Sequence, residues 1–181
     1  MKKIIVGTLL LISVLVIFCN EGDGTIYGTW ILQADKSTDL VTWRYRHLQL
    51  EIVRVDSMVA IVENWKHKRY GDYVDSVAFQ PAGEPAIFNE SSPLWPENWY
   101  MGVLTDPNAV RKISGEWVSP QQSLKTVEEQ VVLVSQGKTT IRTERLYRVE
   151  EGGKRLVVEE KRSSRPTLIK LVFERYPQLT D

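Results

Sequence analysis

Few residues in this 181-residue chain have the types and spacings that do chemistry. Adjacent acids stand at Glu128-Glu129, Glu150-Glu151 and Glu159-Glu160, and paired carboxyls are what acid–base hydrolysis uses. On a strand, neighbours point to opposite faces, so such couples cannot act together on one substrate. At a turn, Glu150-Glu151 serves solvation. His47 and His67 would face each other if a three-residue turn joined Val55 to Val59, giving half of a metal site. A bulge at Ile52-Val53 moves that register by one, so that Leu48 faces Trp65 and the histidines fall on opposite faces. No third ligand is in view. Arg145 and Tyr147 share one face of a strand. Turned inward, a guanidinium and a phenol could fix a carboxylate; turned outward, they are ordinary surface. There is no Gly-x-Ser-x-Gly elbow, no phosphate-binding glycine loop and no Cys/His ligand spacing. These observations predict a protein that is not an enzyme, with no catalytic residues, no metal and no cofactor.

The remaining chemistry is a modification. Cys19 is the only cysteine and ends an apolar run from Ile4 to Phe18 that follows Lys2-Lys3. This is the form of an export signal, and it is shorter than the roughly 20 residues a spanning helix needs. A cysteine at the cleavage point predicts lipidation, with a thioether-linked diacylglycerol and a new N-terminus. Phe18 precedes it where a small residue is usual. Gly22 and Gly24 offer a second cleavage point, which would leave Thr25 as the first residue of a secreted or periplasmic soluble protein. The first alternative gives a signal peptide over 1–19, a linker over 20–25, one domain over 26–176 and a tail over 177–181. It places the protein in the cell envelope, held to a membrane by its lipid.

The chain carries 23 Lys+Arg against 23 Asp+Glu. Without Lys2 and Lys3 the balance is 21 against 23, and the charges are interspersed. No basic excess remains for phosphates, which argues against nucleic acid as a partner. With no cysteine beyond Cys19, an intramolecular disulfide is impossible, and packing must stabilise the domain.

Positioning falls to strands. Period-two alternation rich in Val, Ile, Thr and aromatics marks segments 26–33, 47–55, 59–66, 73–80, 86–89, 100–104, 111–118, 125–135, 139–149, 155–163 and 167–175. One helical turn is expected within 34–40. Short links such as Asp56-Ser57, Gln136–Lys138 and Glu151–Lys154 join antiparallel neighbours. The prediction is all-β: an antiparallel up-and-down barrel of about 8–10 strands, with a two-sheet sandwich as the alternative. The apolar phase slips between Ile141 and Leu146, and again between Ile52 and Val53. Both slips are expected to be bulges that curve the sheet.

The opening Ile26-Tyr27-Gly28-Thr29-Trp30 through Asp35-Lys36-Ser37 resembles that of bacterial lipocalin-like (calycin) envelope proteins, with their Gly-x-Trp strand and following Lys-Ser corner. The rhythm of Tyr147–Val149, Leu156–Glu159 and Leu171–Arg175 is similar too. The resemblance implies that Trp30 plugs one barrel end, with Arg175 over it through a cation–π contact. On physical grounds Gly28 lets a neighbouring backbone approach closely. The family includes carriers of small hydrophobic molecules and solid barrels, so two functions stay open. One is an envelope-anchored domain binding a small hydrophobic or amphiphilic molecule. The other is a solid barrel acting as a structural or protein-interaction module. For the first, an inward Arg145 and Tyr147 would resemble the carboxylate clamp of fatty-acid carriers of related folds. The proline-rich stretch from Pro81 to Pro107 would present Trp95, Trp99 and Tyr100 at the entrance.

Overall fold

A computed structural model describes residues 24–38, 47–67, 71–89 and 104–177. Cys19, Trp95, Trp99 and Tyr100 lie outside them. The strands are β1 (Gly28–Leu32), β2 (His47–Val55), β3 (Met58–His67), β4 (Gly71–Phe79), β5 (Ala86–Asn89), β6 (Leu104–Thr105), β7 (Val110–Ser119), β8 (Ser123–Val134), β9 (Gly137–Glu150), β10 (Arg155–Arg162) and β11 (Arg165–Arg175). They form one antiparallel sheet in the order β4-β3-β2-β1-β11-β10-β9-β8-β7-β5, with β6 beside β8. Nearly every strand pairs with its neighbour in sequence, and β1 pairs with β11 to wrap the sheet round. The result is a ten-strand up-and-down barrel, calycin-like and nearly closed, rather than a sandwich.

The β2–β3 hairpin turns through Asp56-Ser57, with Asp56 at φ 55° and Val55 paired with Met58. Leu48 therefore faces Trp65, and His47 faces Lys66. The expected pairing arises from a two-residue turn, not from a bulge. Neither expected slip is a bulge: the ladders through β2 and β9 keep one register throughout. In β9 the inward phase runs unbroken through Ile141, Thr143, Arg145 and Tyr147, all buried. Polar residues stand inside where the apolar pattern lapses. Register shifts occur instead at Glu160/Arg162 and Trp117/Ser119. Ala34–Lys36 forms a single turn, with the Lys36 N–H donating to the Gln33 carbonyl at 3.1 Å.

The barrel's two ends differ. At one, Ile26, Trp30, Phe79, Leu124, Leu156 and Phe173 are packed out of solvent. At the other lie the described residues His47, His67, Gly71, Asn89 and Leu104.

The edge strand β4 meets β7 through side chains. Asp75 takes a two-pronged pair from Arg111 (2.6 and 2.9 Å), and the Phe79 ring lies against the bare Cα of Gly115. A Cβ at Gly115 would overlap that ring. Gly115→Ala is accordingly expected to cost about 1–3 kcal/mol by overpacking. Phe79→Leu should recover part of that loss in the double variant. Urea midpoints of the two single variants and the double variant check this: strict additivity would show that the two positions do not meet.

Candidate functional site

Gly28 and Trp30 belong to the packed end. The Trp30 indole N–H donates to the Ile26 carbonyl at 2.8 Å, and the Arg175 guanidinium carbon stands 4.2 Å from the ring centroid. Arg175 also donates to the carbonyls of Gly153 (2.7 Å), Tyr27 (2.8 Å) and Thr25 (2.7 Å). Gly28 sits at φ 132°, and a Cβ there would lie 2.6 Å from Arg175 Nη1. The close neighbour is thus a guanidinium, not the backbone expected from sequence.

Arg145 and Tyr147 point inward, and both are buried. Arg145 is cross-strand neighbour to Glu160 on β10 and to Thr126 on β8, with Glu128 on the diagonal. These are the positions where side chains meet across a sheet. Arg145 Nε donates to Glu160 at 2.7 Å and Nη1 to Glu128 at 2.9 Å. Arg162 donates to the second Glu160 oxygen at 2.5 Å. Arg111, paired with Asp75, lies 3.7 Å from Glu128. The network continues to Glu63 on β3, between the inward Ile61 and Trp65 and directly opposite Asp75 on β4. Its carboxylate accepts from the Trp65 indole N–H at 3.0 Å.

Burial is the first cause of the Glu63 carboxyl being held above the usual carboxylate range. Asp75 and Glu128 push the same way, while Arg145 and the Trp65 N–H oppose them. Glu160 shows the reverse balance. Burial would raise its pKa, but Arg145 and Arg162 outweigh burial and hold it below the usual range. Burial drives the Tyr147 phenol well above its ordinary range, so it stays a neutral hydroxyl.

Glu63, Asp75, Arg111, Glu128, Glu160 and Arg162 escape a reading that treats inward charge as a phase slip. Each nevertheless stands in phase with buried apolar neighbours, as Glu128 does with Leu124 and Val132, and Glu160 with Leu156 and Val158. Opposite charges in the inward phase of adjacent strands are the signal that would have found them. The adjacent acids divide as strand geometry requires: Glu128 is buried and Glu129 exposed. Among the described residues no group of three or more His, Cys, Asp and Glu is arranged to hold a metal. A pocket of about 200 Å³ lies away from this layer, lined by Tyr27, Met58, Pro81, Trp117 and Pro120 at the packed end. It is smaller than a usual ligand site.

What the fold defines is a calycin-like β-barrel. No family model matches the chain, and no curated protein sequence matches it. Solved structures do. It is similar to a Schistosoma mansoni fatty acid binding protein in complex with arachidonic acid, at 12% identity and a TM-score of 0.50, covering 83% of this chain and 96% of that one. It is also similar to a structure described as a REP1-NXSQ fatty acid transporter, at 10% identity and a TM-score of 0.49, covering 84% and 96%. At these identities the likeness is one of fold.

Proposed function

We propose that this chain is a non-enzymatic carrier barrel that takes a small hydrophobic or amphiphilic molecule into its interior and is tethered in the cell envelope through Cys19. The observation that carries the binding role is the charged layer inside the barrel. Buried ion pairs are a poor means of stabilising a core, because desolvation offsets most of their attraction. A barrel that served only as a solid scaffold would be at least as stable with apolar residues there. A polar layer next to an apolar end is instead the pattern of a ligand site, where a few polar groups orient a mainly apolar molecule. The structure of similar fold solved with arachidonic acid supports the same class of ligand. Trp95, Trp99 and Tyr100 belong to the segment between Asn89 and Leu104, both at the barrel end opposite the Trp30 plug. They are the entrance residues of this proposal.

Native mass spectrometry of the purified protein tests the binding role. A co-purified amphiphile is expected, with its occupancy lowered in Trp99→Ala. Failure to retain any ligand or take up any hydrophobic probe would favour the structural or interaction module. The anchor is tested separately: Cys19→Ser should move the protein from the membrane to the soluble fraction, or stall its processing. Unchanged membrane attachment would remove lipidation from the proposal and leave the secreted or periplasmic alternative.

A further inference from the structure

Within the carrier role proposed above, on which this inference rests, we infer that the preferred headgroup is a protonated amine paired with Glu63, rather than a carboxylate held by Arg145. Among the described residues, Arg111, Arg145 and Arg162 each already have a carboxylate partner. Arg145 bridges Glu160 and Glu128, Arg162 holds Glu160, and Arg111 holds Asp75. An incoming carboxylate would have to displace a carboxylate of the protein from a site that, among the described residues, already has more acids than arginines. Those acids are Glu63, Asp75, Glu128 and Glu160, set against Arg111, Arg145 and Arg162.

Of these four acids, Glu63 is the one without an arginine partner among the described residues. Its hydrogen bond comes from the neutral Trp65 indole, and no basic side chain among the described residues forms an ion pair with it. A second feature points to a missing donor-rich group. The Thr126 hydroxyl, on the inward face of β8 beside Arg145 and 1% exposed, has no hydrogen-bond partner among the described residues. An unsatisfied buried hydroxyl is costly. An ammonium has three donors and no acceptor, which suits a carboxylate without an ion-pair partner.

The groups that act on Glu63 are Arg145 from β9, Asp75 from β4 and Glu128 from β8, with Trp65 on its own strand. Because their sum with burial keeps the Glu63 proton on to higher pH, amine binding displaces that proton and strengthens as pH rises. The amine must itself stay protonated, so this rise ends at the amine's own pKa.

The test is competition at neutral pH on the purified full chain. Dodecylamine, dodecanol and dodecanoate are each titrated against the neutral fluorescent reporter N-phenyl-1-naphthylamine. Dodecylamine is expected to displace the reporter at about tenfold lower concentration than dodecanoate, the effect of one added charge pair. Glu63→Gln should abolish that advantage without changing the dodecanol midpoint. This variant removes a charge that the fold disfavours, so it is expected to fold. Displacement by dodecanoate at equal or lower concentration would overturn the inference and leave the carrier role standing. So would amine binding unaffected by Glu63→Gln. Failure of the reporter to bind at all would overturn the carrier role, and the inference with it.

Discussion

Arg145→Met is expected to lower the unfolding free energy by about 3–5 kcal/mol, the range for removing one partner of a buried ion pair. Methionine matches the length of the arginine stem, so little of the loss is a packing defect. The cost comes from the carboxylates left behind. Glu128 loses its 2.9 Å donor, and Glu160 loses the 2.7 Å one, retaining only Arg162. With domains of this size stable by roughly 5–15 kcal/mol, the variant would sit near the edge of folding.

The pH dependence separates this mechanism from simple misfit. Arg145 and Arg162 hold the folded-state pKa of Glu160 below its ordinary 4.5. For an acid with a lowered pKa, the stabilisation is present above the unfolded-state value and is lost as pH falls through the folded-state value. In Arg145→Met much of that contribution is absent at every pH. The deficit relative to the parent protein should therefore be largest where the carboxylates left behind are ionised and shrink as pH falls and they take up protons. Urea denaturation at neutral pH and again in the acid range measures both quantities. A deficit independent of pH would mean that shape, not charge, was lost. Adding Glu128→Gln and Glu160→Gln should restore part of the stability, because neutral amides cost less to bury than unpaired carboxylates.

The same network explains what could be read from the chain and what could not. The strands are legible because most inward positions are apolar and alternate strictly, as in Leu48, Leu50 and Ile52. The short hairpins fix which strands are neighbours. From this follows an up-and-down barrel with nearly correct strand limits. The charged layer breaks the pattern that made the strands legible. Arg145 between Ile141 and Tyr147 is indistinguishable, within its own strand, from a one-residue slip. What distinguishes the two is the partner, and the partners lie on other strands: Glu128 on β8 and Glu160 on β10. The seam between β4 and β7 is hidden for the same reason. Asp75 and Arg111 are 36 residues apart, and no local pattern links them. Arg145 and Tyr147 could be named as a pair because their shared face is a property of one strand. Their neighbours could not, because those depend on register.

At the other end of the barrel, Trp30→Ala is expected to cost about 3–5 kcal/mol, the usual range for truncating a fully buried aromatic. Three losses combine. The apolar ring leaves a void among residues that pack the barrel end, and Trp30 is wholly excluded from solvent. The Ile26 carbonyl loses its 2.8 Å donor. Arg175 loses the ring face at 4.2 Å that it covers. Trp30→Phe keeps most of the buried surface and should recover more than half of the loss, the remainder reflecting the indole N–H.

Arg175 connects this plug to the rest of the fold, because its fork ties the N-terminal segment at Thr25 and Tyr27 to the turn at Gly153. Arg175→Lys keeps the charge but cannot reproduce three directed bonds from a planar group. It should therefore destabilise the barrel, and hydrogen exchange should locate the loss. The amides of Ile26, bonded to Gln121, and Tyr176, bonded to Thr29, should exchange faster while the β8–β9 ladder stays protected. Uniform loss of protection would instead mean that the plug and the charged layer unfold as one unit. Trp30→Ala and Arg145→Met would then be expected to combine non-additively despite their separation along the barrel.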